Sequence, residues 1–379
     1  MNSTAKWILG LIVLVVVVGG WYFLQGKTTP TETGPIKVGF IAPLTGDLGS
    51  FGESVRQTVM LAVQETNDAG GINGRQVEVI YEDGQCDKAA ADAAQKLINV
   101  DGVNYILGGV CSGETLAAAP IAEKNHVILF SGISSSPDIT GAGDYVFRSF
   151  ASDATSGNKA AQAMKERGYK KVAVISVRNE YAQALRNVFE TTYKGLGGDV
   201  VASEGYVTDN KDFRTLLAKI KVSGAEALYL IPGGPVDGQA LLQQIKNAGI
   251  TLPKYSNELI TTPSILKTGL ADNVVYTEVV FDQNAPAAKA FFDSYIAHYK
   301  MVDPTTPPVY LASAYDAAKI LFETIGKCGD TADQVKACLY QVKDRVGAAG
   351  SLTMDSNGDA IKEYVLKTIK NGKSEAYTI

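Results

Sequence analysis

Histidine is almost absent: the chain of 379 residues holds two, His126 and His298. That excludes a multi-histidine metal centre and makes histidine-based acid–base chemistry a poor reading. His126 begins a hydrophobic strand pattern and His298 sits among aromatic neighbours on a helical one, so both read as structural. Cysteine is scarce as well: there are four, and no two form a Cys-x-x-Cys pair that could seed a zinc site. An excess of basic charge is missing too. The 35 Lys and Arg face 40 Asp and Glu, a net charge of −5, which argues against nucleic acid as a partner. Among catalytic signatures, the loop from Thr45 to Gly52 lacks GxGxxG spacing, and neither a phosphate-binding P-loop nor a GxSxG elbow occurs. Ser156-Gly157-Asn158-Lys159 satisfies SxxK, but its companions SDN and KTG are absent. These absences argue against an enzyme and leave no cofactor and no metal to be expected.

What is present is ordinary globular composition, 46% hydrophobic and 20% charged, with one exceptional segment. Trp7–Leu24 carries no charge. As a helix it would reach about 27 Å, close to the thickness of a bilayer core, with Trp7, Trp21 and Tyr22 at its ends. A cleaved signal peptide is the rival reading. It calls for a shorter apolar region and a small-x-small site, which Gly20-Trp21-Tyr22-Phe23 does not offer. An uncleaved membrane anchor over residues 1–24, followed by a polar linker over 25–35, is therefore expected. All four cysteines lie beyond the anchor, and an even count in an exported domain reads as two disulfides. Pairing each Cys locally would close loops of about 26 and 11 residues and contribute roughly 3.5 and 2.8 kcal/mol. Four buried free thiols are the alternative.

From Ile36 onward, strand and helix patterns alternate. Strands are expected at Lys37–Leu44, Val77–Glu82, Asn104–Leu107, Val127–Phe130 and Tyr145–Arg148, with helices such as Gly52–Ala69 and Lys88–Val100 between them. The alternation restarts after Ala151, through strands Lys171–Val177, Asp199–Tyr206, Ala227–Ile231, Lys254–Ser256 and Val274–Glu278. Helices follow at Ala285–Tyr299, Pro308–Ile325 and Thr331–Gln341, and then an expected hairpin of Ser351–Met354 with Glu363–Ile369 around Asp355 to Asp359. That turn is not an EF-hand, because Ala360 and Leu366 stand where the calcium loop needs Gly and Glu. The fold class is α/β: two Rossmann-like lobes of parallel sheets flanked by helices.

Ligands in such sheets sit beyond the carboxyl ends of the strands, where helix N-termini present backbone N–H groups. Two neighbouring strand ends run into small, hydroxyl-rich loops, Gly108 to Gly113 and Ser131 to Pro137. Helix capping by Ser explains part of this pattern. The pairing of the loops, one of which carries Cys111, points to a binding cleft.

The region from Ile36 resembles the type I periplasmic substrate-binding proteins, in the leucine/isoleucine/valine-binding family of ABC transporters. The resemblance rests on Val38 to Gly46, Glu65 to Gly74 (ETNDAGGING), Asp83 to Asp87, Gly109 to Ser112, Asn179-Glu180-Tyr181, Asp212-Phe213 and Asp355 to Asp359. It implies a three-crossing hinge, so that lobe 1 combines residues 36–152 with 282–353 and lobe 2 combines 153–281 with 354–379. Cys86 and Cys111 stand at the family's disulfide positions, with Cys328 and Cys338 as the second pair. The implied ligand set is Ser112, Ser134 and Ser136 for a carboxylate, Glu258 for an ammonium, and Phe51 and Tyr181 as aromatic covers. Two departures matter. Pro232-Gly233-Gly234-Pro235 supplies no tyrosine where the family often has one, and the family's lipid-anchor Cys is missing. The resemblance implies an extracytoplasmic protein that captures an amino acid or similar small polar solute. It would deliver that solute to a permease partnered by ATPase subunits, held at the membrane by the N-terminal helix. A sensory ectodomain signalling through a partner membrane protein is the alternative.

Overall fold

The computed structural model describes residues 34–378 except 209 and 211. The chain separates into two units, Met1–Pro35 and Ile36–Ile379. The expected membrane helix at Trp7–Leu24 lies outside the described residues. Among the described residues, no helix is long and apolar enough to cross a membrane.

The first half alternates strand and helix as its pattern demands: β1 Ile36–Ala42, α1 Gly49–Asp68, β2 Val77–Asp83, α2 Ala90–Asn99, β3 Tyr105–Leu107, α3 Ser112–Lys124, β4 Ile128–Ser131 and β5 Val146–Arg148. These strands form one parallel sheet in the order β2-β1-β3-β4-β5. Its central strands are near-continuous apolar runs because helices cover both faces. One face packs the Ala-rich α2 and α3 through Ala90, Ala94, Leu97, Ala118 and Ala122. Gly52 brings α1 close to the end of β1, since a Cβ there would lie 1.9 Å from the Pro43 carbonyl oxygen. That close approach places Phe51 beside the strand ends.

The second half continues with α4 Asp153–Glu166, β6 Lys171–Val177, α5 Glu180–Gly195, β7 Asp199–Tyr206, α6 Arg214–Val222, β8 Ala227–Ile231, α7 Pro235–Asn247, β9 Lys254–Asn257, α8 Pro263–Leu266 and β10 Val275–Val279. The remainder comprises α9 Pro286–Tyr299, α10 Pro308–Cys328, α11 Ala332–Leu339, β11 Arg345–Gly347, β12 Gly350–Leu352, β13 Tyr364–Lys370 and β14 Lys373–Ala376. The second sheet runs β14-β13-β10-β9-β8-β6-β7. Helices α9 to α11 return to the first sheet: Phe291, Tyr295, Leu311, Leu321 and Leu339 share a core with Val38, Phe40 and Phe130.

The expected C-terminal hairpin is corrected. Gly350–Leu352 pairs with Arg345–Gly347, whereas β13 pairs antiparallel with both β10 and β14, giving the second sheet a mixed edge. The Asp355–Asp359 turn closes only a short antiparallel bridge, Met354 with Ala360, and docks on the first sheet. Arg148 N donates to the Gly358 carbonyl at 2.9 Å, and Ala360 N to the Arg148 carbonyl at 3.1 Å. The physical reason is the free edge of β10, where β13 buries Tyr364 and Ile369. Asp355 Oδ1 is engaged by the N–H groups of Asn357 and Asp359, at 2.8 and 2.9 Å.

Both local disulfides form, Cys86–Cys111 and Cys328–Cys338. The second joins the end of α10 to α11. Replacing Cys328 and Cys338 by Ser should cost about 2–3 kcal/mol in chemical denaturation and leave solute affinity unchanged.

Candidate functional site

The loops at the carboxyl ends of both sheets face each other across one cleft, with about 670 Å³ of free space including its mouth. Leu48, Phe51, Val110, Ser112, Gly113, Ile133, Ser134 and Ser135 line it from the first sheet's side. Asn179, Glu180, Tyr181, Gly233, Gly234, Pro235 and Leu259 line it from the second, and Pro307 and Tyr310 from the entry of α10. The two sides meet closely. A Cβ on Gly113 would lie 2.8 Å from Glu180 Oε2, and one on Gly234 would lie 3.4 Å from Leu48 Cδ2.

Ser112 is the first residue of α3, so the leading N–H groups and positive end of that helix open on the cleft. Its hydroxyl accepts from Ser136 N at 3.1 Å, tying this loop to the next. Ser134 lines the cleft, but its hydroxyl is bonded to Thr115 Oγ1 at 2.7 Å and donates to the Gly109 carbonyl at 2.9 Å. Ser136 is not among the lining residues. It is buried beneath the cleft wall, its hydroxyl accepts from Asp138 N at 3.3 Å, and its carbonyl accepts from Arg148 at 2.7 Å. Ser135 takes the lining position, one residue earlier, and its hydroxyl donates to Asp153 Oδ2 at 2.6 Å. Ser134 and Ser135 thus line the cleft while Ser136 lies beneath it.

Phe51 and Tyr181 both line the cleft. Phe51 meets Tyr310 edge-on with ring centroids 6.1 Å apart, and the Tyr181 hydroxyl is held by Asn257. Glu258 stands behind this wall, next to the lining residue Leu259. Its side chain is 3% exposed; Oε1 accepts from the Tyr310 hydroxyl at 2.8 Å, while Oε2 has no hydrogen-bond partner. Burial, reinforced by the nearby Asp153 charge, pushes the Glu258 carboxyl up to about 8. Asp153 is also buried and raised, although Ser135 and Tyr364 donate to it at 2.6 and 3.0 Å. The buried cation nearby, Arg148, is committed elsewhere, to both oxygens of Asp359 at 2.6 Å. Neither Lys nor Arg is among the described residues that line the cleft.

Tyr310, Asp153 and Glu114 also escaped the sequence reading. Tyr310 sits at the start of α10 and reaches Glu258 only through tertiary packing. Asp153 draws its role from Ser135 and Tyr364, to which no local spacing connects it. Glu114, three residues after the helix-capping position at Cys111, had a signal in the capping-box spacing.

An anion-favouring helix terminus, a buried carboxylate with one oxygen unpartnered, and apolar walls from two opposed α/β halves together define a cleft-binding protein. Known proteins agree. The family model of periplasmic binding proteins matches residues 35–373. A leucine-, isoleucine-, valine-, threonine- and alanine-binding protein of Pseudomonas aeruginosa is 29% identical over 329 residues, covering 86% of this chain and 87% of its own. A leucine-binding protein from Thermotoga maritima superposes with TM-score 0.80 at 27% identity, covering 90% of this chain and 98% of its own. A branched-chain amino acid substrate-binding protein from Streptococcus pneumoniae, solved with isoleucine, gives 0.78 at 28%, with the same coverages. The chain belongs to the periplasmic binding protein family. These are extracytoplasmic solute-binding proteins and not enzymes.

Proposed function

We propose that this chain is the solute-binding component of an ABC importer and captures an amino acid with an apolar side chain. The carrying observation is Glu258: a buried carboxylate with an unpartnered oxygen behind the cleft wall is suited to an ammonium. The opposite end supports a carboxylate, through the α3 N-terminus at Ser112 with Ser134 and Ser135 alongside. Leu48, Phe51, Ile133 and Leu259 supply the apolar wall, and Tyr181 covers it from the second side. The names of the relatives and the isoleucine of the Streptococcus pneumoniae structure support the same ligand class.

In this reading, residues 36–152 with 282–353 move as one lobe and 153–281 with 354–379 as the other. Closure follows contacts that exist only when both lobes meet. Permease and ATPase subunits receive the solute, and Trp7–Leu24 tethers the protein to the membrane. Titration calorimetry of the twenty amino acids, small amides and short carboxylates tests it. Heat with leucine, isoleucine or valine is expected; silence from every amino acid overturns the assignment.

Tyr310 gives a finer test. Tyr310→Phe removes the donor to Glu258 Oε1 without changing the wall's shape. Leucine affinity should weaken about 5- to 20-fold by calorimetry, and the ligand-free protein should lose about 1–3 kcal/mol of chemical stability because Oε1 is left unpaired.

A further inference from the structure

The α3 loop that carries Ser112 is joined to the loop after β2 twice. The first link is the Cys86–Cys111 disulfide. The second is the carboxylate of Glu114, fully buried between the two loops. Its Oε1 accepts from Cys86 N at 3.0 Å, and its Oε2 from Val110 N at 2.9 Å and Cys111 N at 3.0 Å. One side chain thus bridges the backbones of the very residues that the disulfide joins.

The surroundings are shaped for it. A Cβ on Gly84 would lie 2.4 Å from Glu114 Oε1, and one on Gly109 would lie 2.3 Å from the Glu114 Cβ, so two glycines leave the room it fills. Gln85 and Cys86 lie in the left-handed region, at φ 54° and 62°, a conformation that non-glycine residues hold only under restraint. Burial pushes the carboxyl up to about 7 against the pull of its three N–H donors. A buried acceptor with three donors is costly to remove, since each donor is then left unpaired.

We propose that Glu114 is a positioning residue of the solute site, doing without a covalent bond what the Cys86–Cys111 disulfide does with one. The Ser112 loop then keeps its binding geometry when that disulfide is reduced. The proposal rests on the reading that this loop holds the solute carboxylate. Each link suffices alone, and losing both releases the loop.

Leucine titrations compare the full-length protein with Glu114→Gln, with Cys86→Ser/Cys111→Ser, and with all three changes together. Glutamine turns one acceptor oxygen into an N–H donor and so confronts Cys86 N with a like group. Either link removed alone should weaken leucine binding by less than about tenfold. Removing both should weaken it by more than about a thousandfold, well beyond the product of the two. A combined loss equal to that product overturns the proposal.

A measurement without solute covers the case in which the triple variant does not fold. Amide hydrogen exchange at positions 86, 110 and 111 is followed in dithiothreitol-reduced wild type and in reduced Glu114→Gln. Protection should persist in the reduced wild type and be lost in the reduced variant. Equal loss in both overturns the proposal. If wild type binds no amino acid, the solute reading fails, while the exchange comparison still decides the role of Glu114.

Discussion

Glu258→Gln should weaken leucine binding by about 2–5 kcal/mol in calorimetry, roughly 30- to several-thousand-fold. The amide is nearly isosteric and can still accept from Tyr310, so the loss isolates the charge that faces the ligand ammonium. Unchanged affinity would refute that role. The same residue sets a pH dependence with a definite sign. Its carboxyl is raised to about 8 in the ligand-free protein, against an ordinary value near 4.5. Between these values the folded protein holds a proton that the unfolded chain releases, so this group's contribution to stability falls as pH rises from about 4.5 to 8. An ammonium favours the ionised form, so binding expels the proton. Affinity should therefore climb by up to about tenfold per pH unit between pH 6 and 8, and Glu258→Gln should flatten that climb. Asp153 raises Glu258 through like charge, while Arg148 nearby is neutralised by Asp359.

Arg148→Met should destabilise the fold by about 3–5 kcal/mol in urea denaturation. The guanidinium is 0% exposed and binds Asp359 through two parallel hydrogen bonds, with two further bonds to the Ser136 carbonyl and Thr140 Oγ1, both at 2.7 Å. Removing it leaves Asp359 charged against the first sheet and frees the loop that presents Ser134 and Ser135. Solute affinity should fall together with stability. The double change Arg148→Met/Asp359→Leu should recover part of the lost stability, because it removes the orphaned charge. A double variant less stable than Arg148→Met would contradict the ion-pair account.

Most of the alternating core was legible because its physics is local. β1, β4, β6 and β8 are buried on both faces and read as apolar runs, and the helices between them carry clear start and stop residues. Two C-terminal strands, β11 and β14, were not legible for the opposite reason. Every residue of β14 is exposed, and Val346 in β11 is 74% exposed, so neither shows the alternation of a half-buried strand. Pairing of β13 with β10 was decided by a distant sheet edge, which no local turn signal could report.

The candidate site divides in the same way. Ser112 and the Ser131–Pro137 loop were visible as small residues at strand ends. Ser135 was missed in favour of Ser136 because one residue of register decides which hydroxyl faces the cleft. Tyr310 and Asp153 draw their roles from partners in other elements, Glu258 and Tyr364, and no spacing rule connects them.

The central claim is that both charged ends of an amino acid are recognised, one by the α3 N-terminus and the other by Glu258. Calorimetry of wild type with leucine, 4-methylpentanoate and 3-methylbutylamine separates the two ends on one side chain. The account predicts tight binding of leucine and at least about 100-fold weaker binding of both analogues. Binding of 4-methylpentanoate as tight as that of leucine would contradict it.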